Sequence, residues 1–317
     1  MVSADYCSPS RMRKVLITNT SSYGSFPNKA QNMVSEVSVI ILTYNRSDAL
    51  KAVLHALAWQ DTMPDEVVIT DDGSNEGHIQ AIENALSIKQ WPFKVKYIWH
   101  PDIGFTAATA RNQGVRNSSG NYLIFLDGDC VPRHDFVSEH MRQRRQGCFI
   151  NGSRILLNQG ITETIIRHPQ LIHHSTLYWL RQRLFGRINK WFPMIVRIPP
   201  LLRIASPSFK WKGIRSCNFS LWRNDFVKVN GFDETFVGWG HEDADFVWRL
   251  QRAGVKRING YWSTEIFHLW HLEASRDRES ANARRLDERM TSPGSPYKAE
   301  RGFLEGSNQP SDVLFSS

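Results

Sequence analysis

The sequence of 317 residues contains few cysteines, and they form no recognisable pattern. The four cysteines are Cys7, Cys130, Cys148 and Cys217, and no two of them stand in a CxxC pair. Neither a zinc knuckle nor a disulfide framework is therefore indicated. Cysteines without such a pattern are typical of a reducing compartment, which favours the cytoplasm.

Long apolar runs are also absent. No stretch approaches the roughly 18–20 apolar residues of a membrane-spanning helix, and the most apolar segment, residues 191–204, is interrupted by arginines and three prolines. Residues 1–14 lack the apolar run of a secretory signal peptide. We therefore expect a cytoplasmic protein that does not span a membrane but can be peripheral on its cytoplasmic face.

Acidic residues are absent from one long window. Between Thr164 and Asn224 there are eleven Lys or Arg residues and no Asp or Glu, in a chain whose formal net charge is +8. The positive charge is therefore local and indicates an anionic partner. Residues 156–212, which we call the basic segment, interleave these charges with aromatic and aliphatic residues. Two interpretations remain open: contact with an anionic membrane interface, or a loop packed on the protein with a solvated basic face.

The remaining composition is that of a folded protein, with 41% hydrophobic and 22% charged residues. Residues 1–35 are rich in Ser and Asn and predict a loosely ordered lead-in. The folded part divides into residues 36–150 and residues 151–272. Residues 273–317 form a charged extension. Because this extension has no apolar periodicity after Leu286, we expect a tail from Thr291 onward.

Two patterns of hydrophobic residues, short apolar runs and segments with helical spacing, alternate in residues 36–150. Short apolar runs predict buried strands, and the segments between them carry helical spacing. The predicted strands are Val37–Leu42, Glu66–Thr70, Lys94–Trp99 and Tyr122–Leu126. This alternation predicts an α/β fold with a Rossmann-like, mostly parallel sheet and helices on both faces. Residues 151–272 mix strands and helices less regularly and predict a mixed C-terminal subdomain.

Acidic and polar residues follow these strands directly, at the sheet edge where parallel sheets bind ligands. Asp127 and Asp129 flank Gly128, and two such carboxylates suit Mg²⁺ or Mn²⁺, although a tight turn with solvated acids is the alternative. Asp71 and Asp72 can accept hydrogen bonds from a nucleotide, or form a mere turn. Arg111 can pair with a diphosphate, hold one of these aspartates, or form a surface ion pair.

The string from Gly238 to Asp245 is the most informative local pattern. Two glycines around Trp239 predict an exposed aromatic platform for a sugar ring, and Glu242 and Asp243 stand at a helix start, where the dipole stabilises carboxylates. Capping alone would explain the acids but not the glycines. Asp243 is a candidate general base. His268 and His271, at the end of a predicted strand, are candidate metal ligands or structural residues.

Taken in order, five strings resemble a family-2 glycosyltransferase of the GT-A fold, whose second half is similar to the acceptor region of galactosyltransferases and polypeptide N-acetylgalactosaminyltransferases. The strings are VSVIILTYNR (37–46), VVITDDGS (67–74), TAATARNQGVRNSSGNYLIFLDGDC (106–130), CNFSLWRNDFVKVNGFDETFVGWGHEDADFVWRLQRAG (217–254) and IFHLWH (266–271). The resemblance makes residues 36–150 the nucleotide-sugar-binding half and residues 151–272 the acceptor-binding half.

The resemblance implies transfer of a sugar, with inversion, from a nucleotide diphosphate sugar, most often a UDP-sugar such as UDP-galactose or UDP-N-acetylgalactosamine. The implied donor-side residues are Thr43, Asn45, Arg46, Asp71, Asp72, Arg111, Asp127 and Trp239. Asp127, Asp129 and His268 would hold Mn²⁺ or Mg²⁺, with His268 a better match than His271. Trp239, Glu242 and Asp243 would meet the acceptor, with Asp243 as the base.

The implied partners are the donor and a glycan or lipid-linked glycan acceptor, with an anionic membrane as a further contact and no nucleic acid. No QxxRW string of the processive, membrane-embedded synthases is present, which favours addition of one or a few sugars.

Two other functions compete with this interpretation. A Mg²⁺-dependent nucleotidyl or phosphoryl transferase would use Asp127 and Asp129, but it leaves the string around Trp239 unexplained. A nucleic-acid-binding protein would use the basic segment with its aromatics. The acidic sheet edge argues against that function, because carboxylates repel phosphate unless a metal intervenes.

Overall fold

The computed structural model describes residues 36–88, 90–210, 213–272, 279–292, 294–306 and 311–317, which belong to one compact unit from Ser35 to Ser317. The predicted lead-in, residues 1–35, lies outside the described residues. Within this part of the chain, no helix is both long enough and apolar enough to cross a membrane.

The elements follow the predicted alternation. The described strands are β1 (Val37–Thr43), β2 (Glu66–Asp71), β3 (Lys94–Trp99), β4 (Tyr122–Asp127), β5 (Cys130–Pro132), β6 (Cys148–Asn151), β7 (Ser153–Leu156), β8 (Asn218–Trp222), β9 (Lys256–Asn259), β10 (Glu265–His268) and β11 (Asp312–Ser316). The described α-helices are α1 (Ser47–Leu57), α2 (Glu76–Ile88), α3 (Ala107–Arg116), α4 (Phe136–Gln143), α5 (Gln159–Arg167), α6 (Thr176–Leu184), α7 (Arg223–Lys228), α8 (Glu242–Arg252) and α9 (Glu279–Thr291).

The large sheet has eight strands in the order β11-β3-β2-β1-β4-β8-β6-β9. Strands β3, β2, β1 and β4 are parallel, as predicted, whereas β8 runs antiparallel to both of its neighbours. The strand order reverses at β1, since β2 lies on one side of it and β4 on the other. Such a reversal opens a crevice at the carboxyl ends of the two strands, where doubly wound sheets bind ligands.

Both faces of this sheet are buried. In β1, Val39 and Ile41 pack into the core on the α1 side, whereas Ile40 points into a second core that contains residues of α3 and α8. Burial on both faces explains the unbroken apolar run of β1, because neither side of the strand meets water. The prediction of helices on both faces is therefore confirmed.

A three-stranded sheet, ordered β5-β10-β7, continues from the end of β4. Its antiparallel register sets His268 opposite Cys130, immediately after the turn that carries Asp129. The segment Cys148–Leu157 divides at Gly152 into β6 and β7. A Cβ atom at Gly152 would lie 2.1 Å from Oδ1 of Asn218, so only glycine lets the backbone pass this side chain.

The basic segment packs on the hydrophobic core through one face. Ile161, Ile165 and Ile172 join the core, and Trp179 is buried with its ring stacked on Phe267 at 4.3 Å between centroids. Trp179 therefore belongs to the core rather than to a membrane interface. Large apolar side chains still project from the other face, so packing alone does not account for the segment.

The C-terminal residues differ from the predicted tail. Strand β11 pairs antiparallel with β3 and covers an edge that would otherwise remain unpaired. Helix α9 is anchored by Arg289, which donates hydrogen bonds to Asp233 and Asp245. The buried Leu286 also packs against Phe236 and Ala244, but a single buried leucine gives no regular apolar stripe that hydrophobic periodicity could detect.

Candidate active site

The crevice between β1 and β4 begins with a close backbone approach. The Gly128 N–H donates to the Leu42 carbonyl at 2.7 Å, and a Cβ atom at Gly128 would lie 2.9 Å from Oγ1 of Thr43. Glycine is therefore required between the two aspartates. Oγ1 of Thr43 is buried and has no hydrogen-bond partner among the described residues, so it can meet a ligand in the crevice.

Arg111 joins the two sides of the site. Its Nη2 donates to Oδ1 of Asp127 at 3.1 Å, and its Nη1 lies 3.5 Å from Oε1 of Glu242. Burial disfavours charge on Arg111, but these two carboxylates hold its pKa above the usual value. Burial raises the pKa of Asp127 despite the guanidinium. We expected Arg111 to pair with a diphosphate or to hold Asp71 or Asp72; in the structure it holds Asp127 and Glu242 instead.

Asp129 faces two histidines at the end of β10. Its Oδ2 lies 3.1 Å from Nε2 of His271 and 3.8 Å from Nε2 of His268, and its Oδ1 accepts a hydrogen bond from the Cys130 thiol. Burial disfavours the carboxylate, but the hydrogen bond from His271 and both imidazoles lower the pKa of Asp129 to about 2. Burial lowers the pKa of His268 to about 4, which keeps its ring neutral at neutral pH. His268 was the predicted ligand, and both imidazoles lie against Asp129.

The donor chemistry of this cluster fits a divalent metal. Among the described residues, ligand atoms of Asp129, Cys130 and His268 all lie within 4.8 Å of one another. Carboxylate oxygen and neutral imidazole nitrogen suit Mn²⁺, and carboxylate oxygen also suits Mg²⁺.

Asp71 and Asp72 are buried and already bonded within the protein. Asp71 accepts hydrogen bonds from the Ser74 N–H and the Tyr97 hydroxyl. Asp72 accepts hydrogen bonds from the backbone and hydroxyl of Thr106 and lies 3.2 Å from His100. Any contact of these aspartates with a nucleotide would use their remaining lone pairs.

Asn45 and Arg46 follow β1 but occupy different positions. Asn45 has a left-handed backbone (φ 49°); its N–H donates to the Ser74 hydroxyl, and its side-chain oxygen accepts from the Asn75 N–H. It therefore ties the loop after β1 to the loop after β2. Arg46 pairs with Asp48 at 3.1 Å and remains on the rim.

The loop before α8 contacts the loop after β3. Gly238 (φ 84°) and Gly240 (φ 102°) flank the half-buried Trp239, and the Gly238 N–H donates to the Phe105 carbonyl in the loop after β3. These left-handed conformations require glycine. They fix the backbone on both sides of the tryptophan.

The three acids in the first turn of α8 have different surroundings. Asp245 is fully buried and pairs with Arg249 at 2.8 Å and with Arg289. Glu242 contacts Arg111. Asp243 stays partly exposed and accepts backbone N–H bonds from Ala244 and Ser216, and burial raises its pKa. Asp243 is thus the member of the three that can meet a substrate hydroxyl.

The sequence of this chain matches two known families. A model of glycosyl transferase family 2 matches residues 38–198, half of the chain. The chain belongs to glycosyl transferase family 2. A second model, described as the N-terminal domain of galactosyltransferase, matches residues 202–273 of this glycosyltransferase. The resemblance seen in the sequence is therefore confirmed, and the glycosyltransferase interpretation prevails over the two competing ones.

Curated relatives of this family-2 glycosyltransferase bear the names of different enzymes. It is 29% identical over 262 residues to a validoxylamine A glucosyltransferase of Streptomyces hygroscopicus subsp. limoneus, covering 78% of this chain and 54% of that protein. It is 26% identical over 239 residues to chondroitin synthase of Escherichia coli, covering 72% of this chain and 34% of that protein. The chain thus spans about half or less of the length of these relatives.

A solved structure supports the fold. GalNAc-T7 with UDP, GalNAc and Mn²⁺ is 16% identical, has a TM-score of 0.58, and covers 82% of this chain and 48% of that one. The predicted GT-A type α/β fold is therefore confirmed for this glycosyltransferase.

Sequence reasoning missed the residues of the glycosyltransferase that fix Asp71 and Asp72. These are Tyr97, His100 and Thr106. His100 could have been found, because it directly follows β3 and so lies at the same sheet edge as the other candidate residues. Tyr97 gave no such signal, since an aromatic residue inside a strand is more often plain core.

Proposed function

We propose that this family-2 glycosyltransferase transfers a hexose with inversion from a UDP-sugar, preferably UDP-galactose or UDP-N-acetylgalactosamine, to a hydroxyl group of a glycan or lipid-linked glycan. The observation that carries the proposal is the pair of acidic clusters that Arg111 connects across one crevice, Asp127 with Asp129 on one side and Glu242 with Asp243 on the other.

The donor side supports a nucleotide diphosphate. The unpartnered Thr43 hydroxyl and the buried Asp71 and Asp72 lie at the ends of β1 and β2, where uracil and ribose would bind. The match of residues 202–273 to a galactosyltransferase model and the UDP and GalNAc bound in GalNAc-T7 support the suggested donor.

A divalent metal, Mn²⁺ or Mg²⁺, would be held by Asp129 and His271 or His268, with Asp127 beside them. When bound, such an ion neutralises the negative charge that develops on the departing diphosphate. The low pKa of Asp129 keeps its carboxylate ionised for this role at neutral pH.

Asp243 would take the proton of the acceptor hydroxyl as its oxygen attacks the anomeric carbon. The bond from that carbon to the diphosphate oxygen breaks on the opposite face, and the electron pair leaves with the diphosphate, so the configuration inverts. Arg111 holds Glu242 in place beside this base, and Trp239 offers a ring face to the acceptor sugar.

The test measures UDP release from a panel of UDP-sugars, and GDP-mannose is included as a donor that carries another base. Each donor is assayed in the presence of Mn²⁺, of Mg²⁺ or of EDTA. We expect release from UDP-galactose or UDP-N-acetylgalactosamine, stimulated by the metal and by a glycan acceptor. Product analysis by NMR should show inversion. Turnover of GDP-mannose alone, turnover undiminished by EDTA, or a product with retained configuration would contradict the proposal.

A further inference from the structure

The outer face of α6 carries an unusual combination of side chains. Leu177, Leu184 and Phe185 are 73%, 78% and 62% exposed; Arg181 lies among them on this face, and the exposed Arg183 lies on the flank of the helix. The inner face of the same helix is buried through Trp179 and Gln182. Helix α6 is therefore fixed to the protein by one side and presents an apolar, cationic surface on the other.

The positive charge of the basic segment concentrates at this helix. Arg197 pairs with Asp135 and Glu139, and Arg203 donates its hydrogen bonds to backbone carbonyls and a serine. Arg181 and Arg183, by contrast, have no carboxylate within 4.0 Å in the described part of the chain. These two cations remain available to an external anion.

The end of α6 lies beside the catalytic crevice. The Arg187 carbonyl accepts from the Asn158 N–H at 2.9 Å, and the Asn189 N–H donates to Leu156 at 3.1 Å. Leu156 is the register partner of His268 in the small sheet. The exposed face of α6 is thus connected through one short strand pairing to the histidines near Asp129.

We propose that the outer face of α6, continued by Phe185, lies in the headgroup region of an anionic bilayer and holds the crevice at the membrane surface. Exposed arginines beside aliphatic side chains match such an interface, because the cations meet lipid phosphate while the apolar groups enter the acyl boundary. A water-soluble polyanion would pair with the arginines, but it would leave the apolar side chains of Leu177, Leu184 and Phe185 exposed to water. The statement that the acceptor resides in this bilayer rests on the proposed function. The binding of α6 to the bilayer does not depend on that function.

Sedimentation of the full chain with lipid vesicles tests the proposal without donor, metal or acceptor. Neutral vesicles are compared with vesicles containing about 30% anionic phospholipid. We expect binding to the anionic vesicles at least about tenfold stronger, weakening as salt rises from about 50 mM to about 500 mM, where the Debye length shortens.

Two double variants separate the charge from the apolar part of the surface. Arg181→Gln with Arg183→Gln should weaken binding about tenfold or more. Leu184→Ser with Phe185→Ser should weaken it by a similar factor while keeping the salt dependence. The matched controls are Lys51→Gln with Lys256→Gln, which removes two exposed charges elsewhere, and Ile88→Ser at an exposed aliphatic residue of α2. Both controls should bind as strongly as the wild type. The thermal melting temperature should be unchanged in the two α6 variants and in the two controls.

Equal or absent binding to the two vesicle types would overturn the proposal, as would controls that lose as much binding as the α6 variants. Binding to a soluble polyanionic glycan with no binding to vesicles would overturn it in favour of a glycan surface. Because no nucleotide enters this experiment, an enzyme that failed to use UDP-sugars could still bind vesicles, so the two proposals fail separately.

Discussion

Two acidic pairs face each other across the crevice, Asp127 with Asp129 and Glu242 with Asp243. Both consist of carboxylates that are close in sequence, but their surroundings differ. Asp129, after β4, lies against two imidazoles, and its pKa falls to about 2 although it is buried. Asp243, at the start of α8, has backbone N–H donors and a more distant guanidinium, and burial raises its pKa. The neighbouring side chains thus shift the pKa values of two buried acids in opposite directions.

This difference divides the chemistry between the two sides. A carboxylate held ionised suits a metal ion, since a proton does not compete for its oxygen. A carboxylate with a raised pKa suits a general base, because its pKa lies closer to the working pH. Each of the following changes tests one side of the comparison.

The largest expected effect is that of Asp129→Asn. The change removes the charge from the proposed metal site but keeps the size of the side chain, so transfer should fall by about 10³-fold or more. Donor turnover with Mn²⁺ and thermal melting are the measurements. A folded variant that turns over at the wild-type rate would remove Asp129 from the metal site.

Asp243→Asn should lower kcat by about 10²-fold or more, since the acceptor proton then has no base to receive it. Donor binding, measured by calorimetry with the UDP-sugar, should change little. In the wild type, kcat/KM should fall as the pH drops through the raised pKa of Asp243, because only the deprotonated form accepts a proton. Loss of donor affinity instead would make Asp243 a donor contact and move the base to Glu242.

Arg111→Gln tests the link between the two sides. Asp127 and Glu242 would lose their shared cation in a buried position, which should cost about 3 kcal/mol of unfolding free energy. Urea denaturation measures this loss, and Arg46→Gln, on the rim, is the matched control. Unchanged stability of Arg111→Gln would show that the two acids do not depend on this arginine.

The smallest effect separates the two histidines. His271 approaches Asp129 more closely than His268 does, so His271→Ala should raise the Mn²⁺ concentration for half-maximal activity by about tenfold, and His268→Ala by less. A Mn²⁺ titration of both variants is sufficient. The opposite order would restore His268, the ligand predicted from the sequence.

Some of the site could be predicted because its residues are adjacent to strong local signals. Asp71, Asp72, Asp127 and Asp129 directly follow apolar runs that form strands in almost any folded context. Parallel strands bring their carboxyl ends to one edge, so the acidic edge follows from the order of elements alone. The sequence by itself therefore determined the fold class and the placement of these four carboxylates at one edge of the sheet.

Only the tertiary structure decided which of these residues meet. Arg111 and Glu242 lie far apart in the chain, and their contact depends on how α8 packs beside α3. The approach of His271 to Asp129 depends on the register between β5 and β10, and the place of β11 depends on a free edge of β3. Local periodicity specifies what an element is, whereas its neighbours are chosen by the packing of the whole sheet.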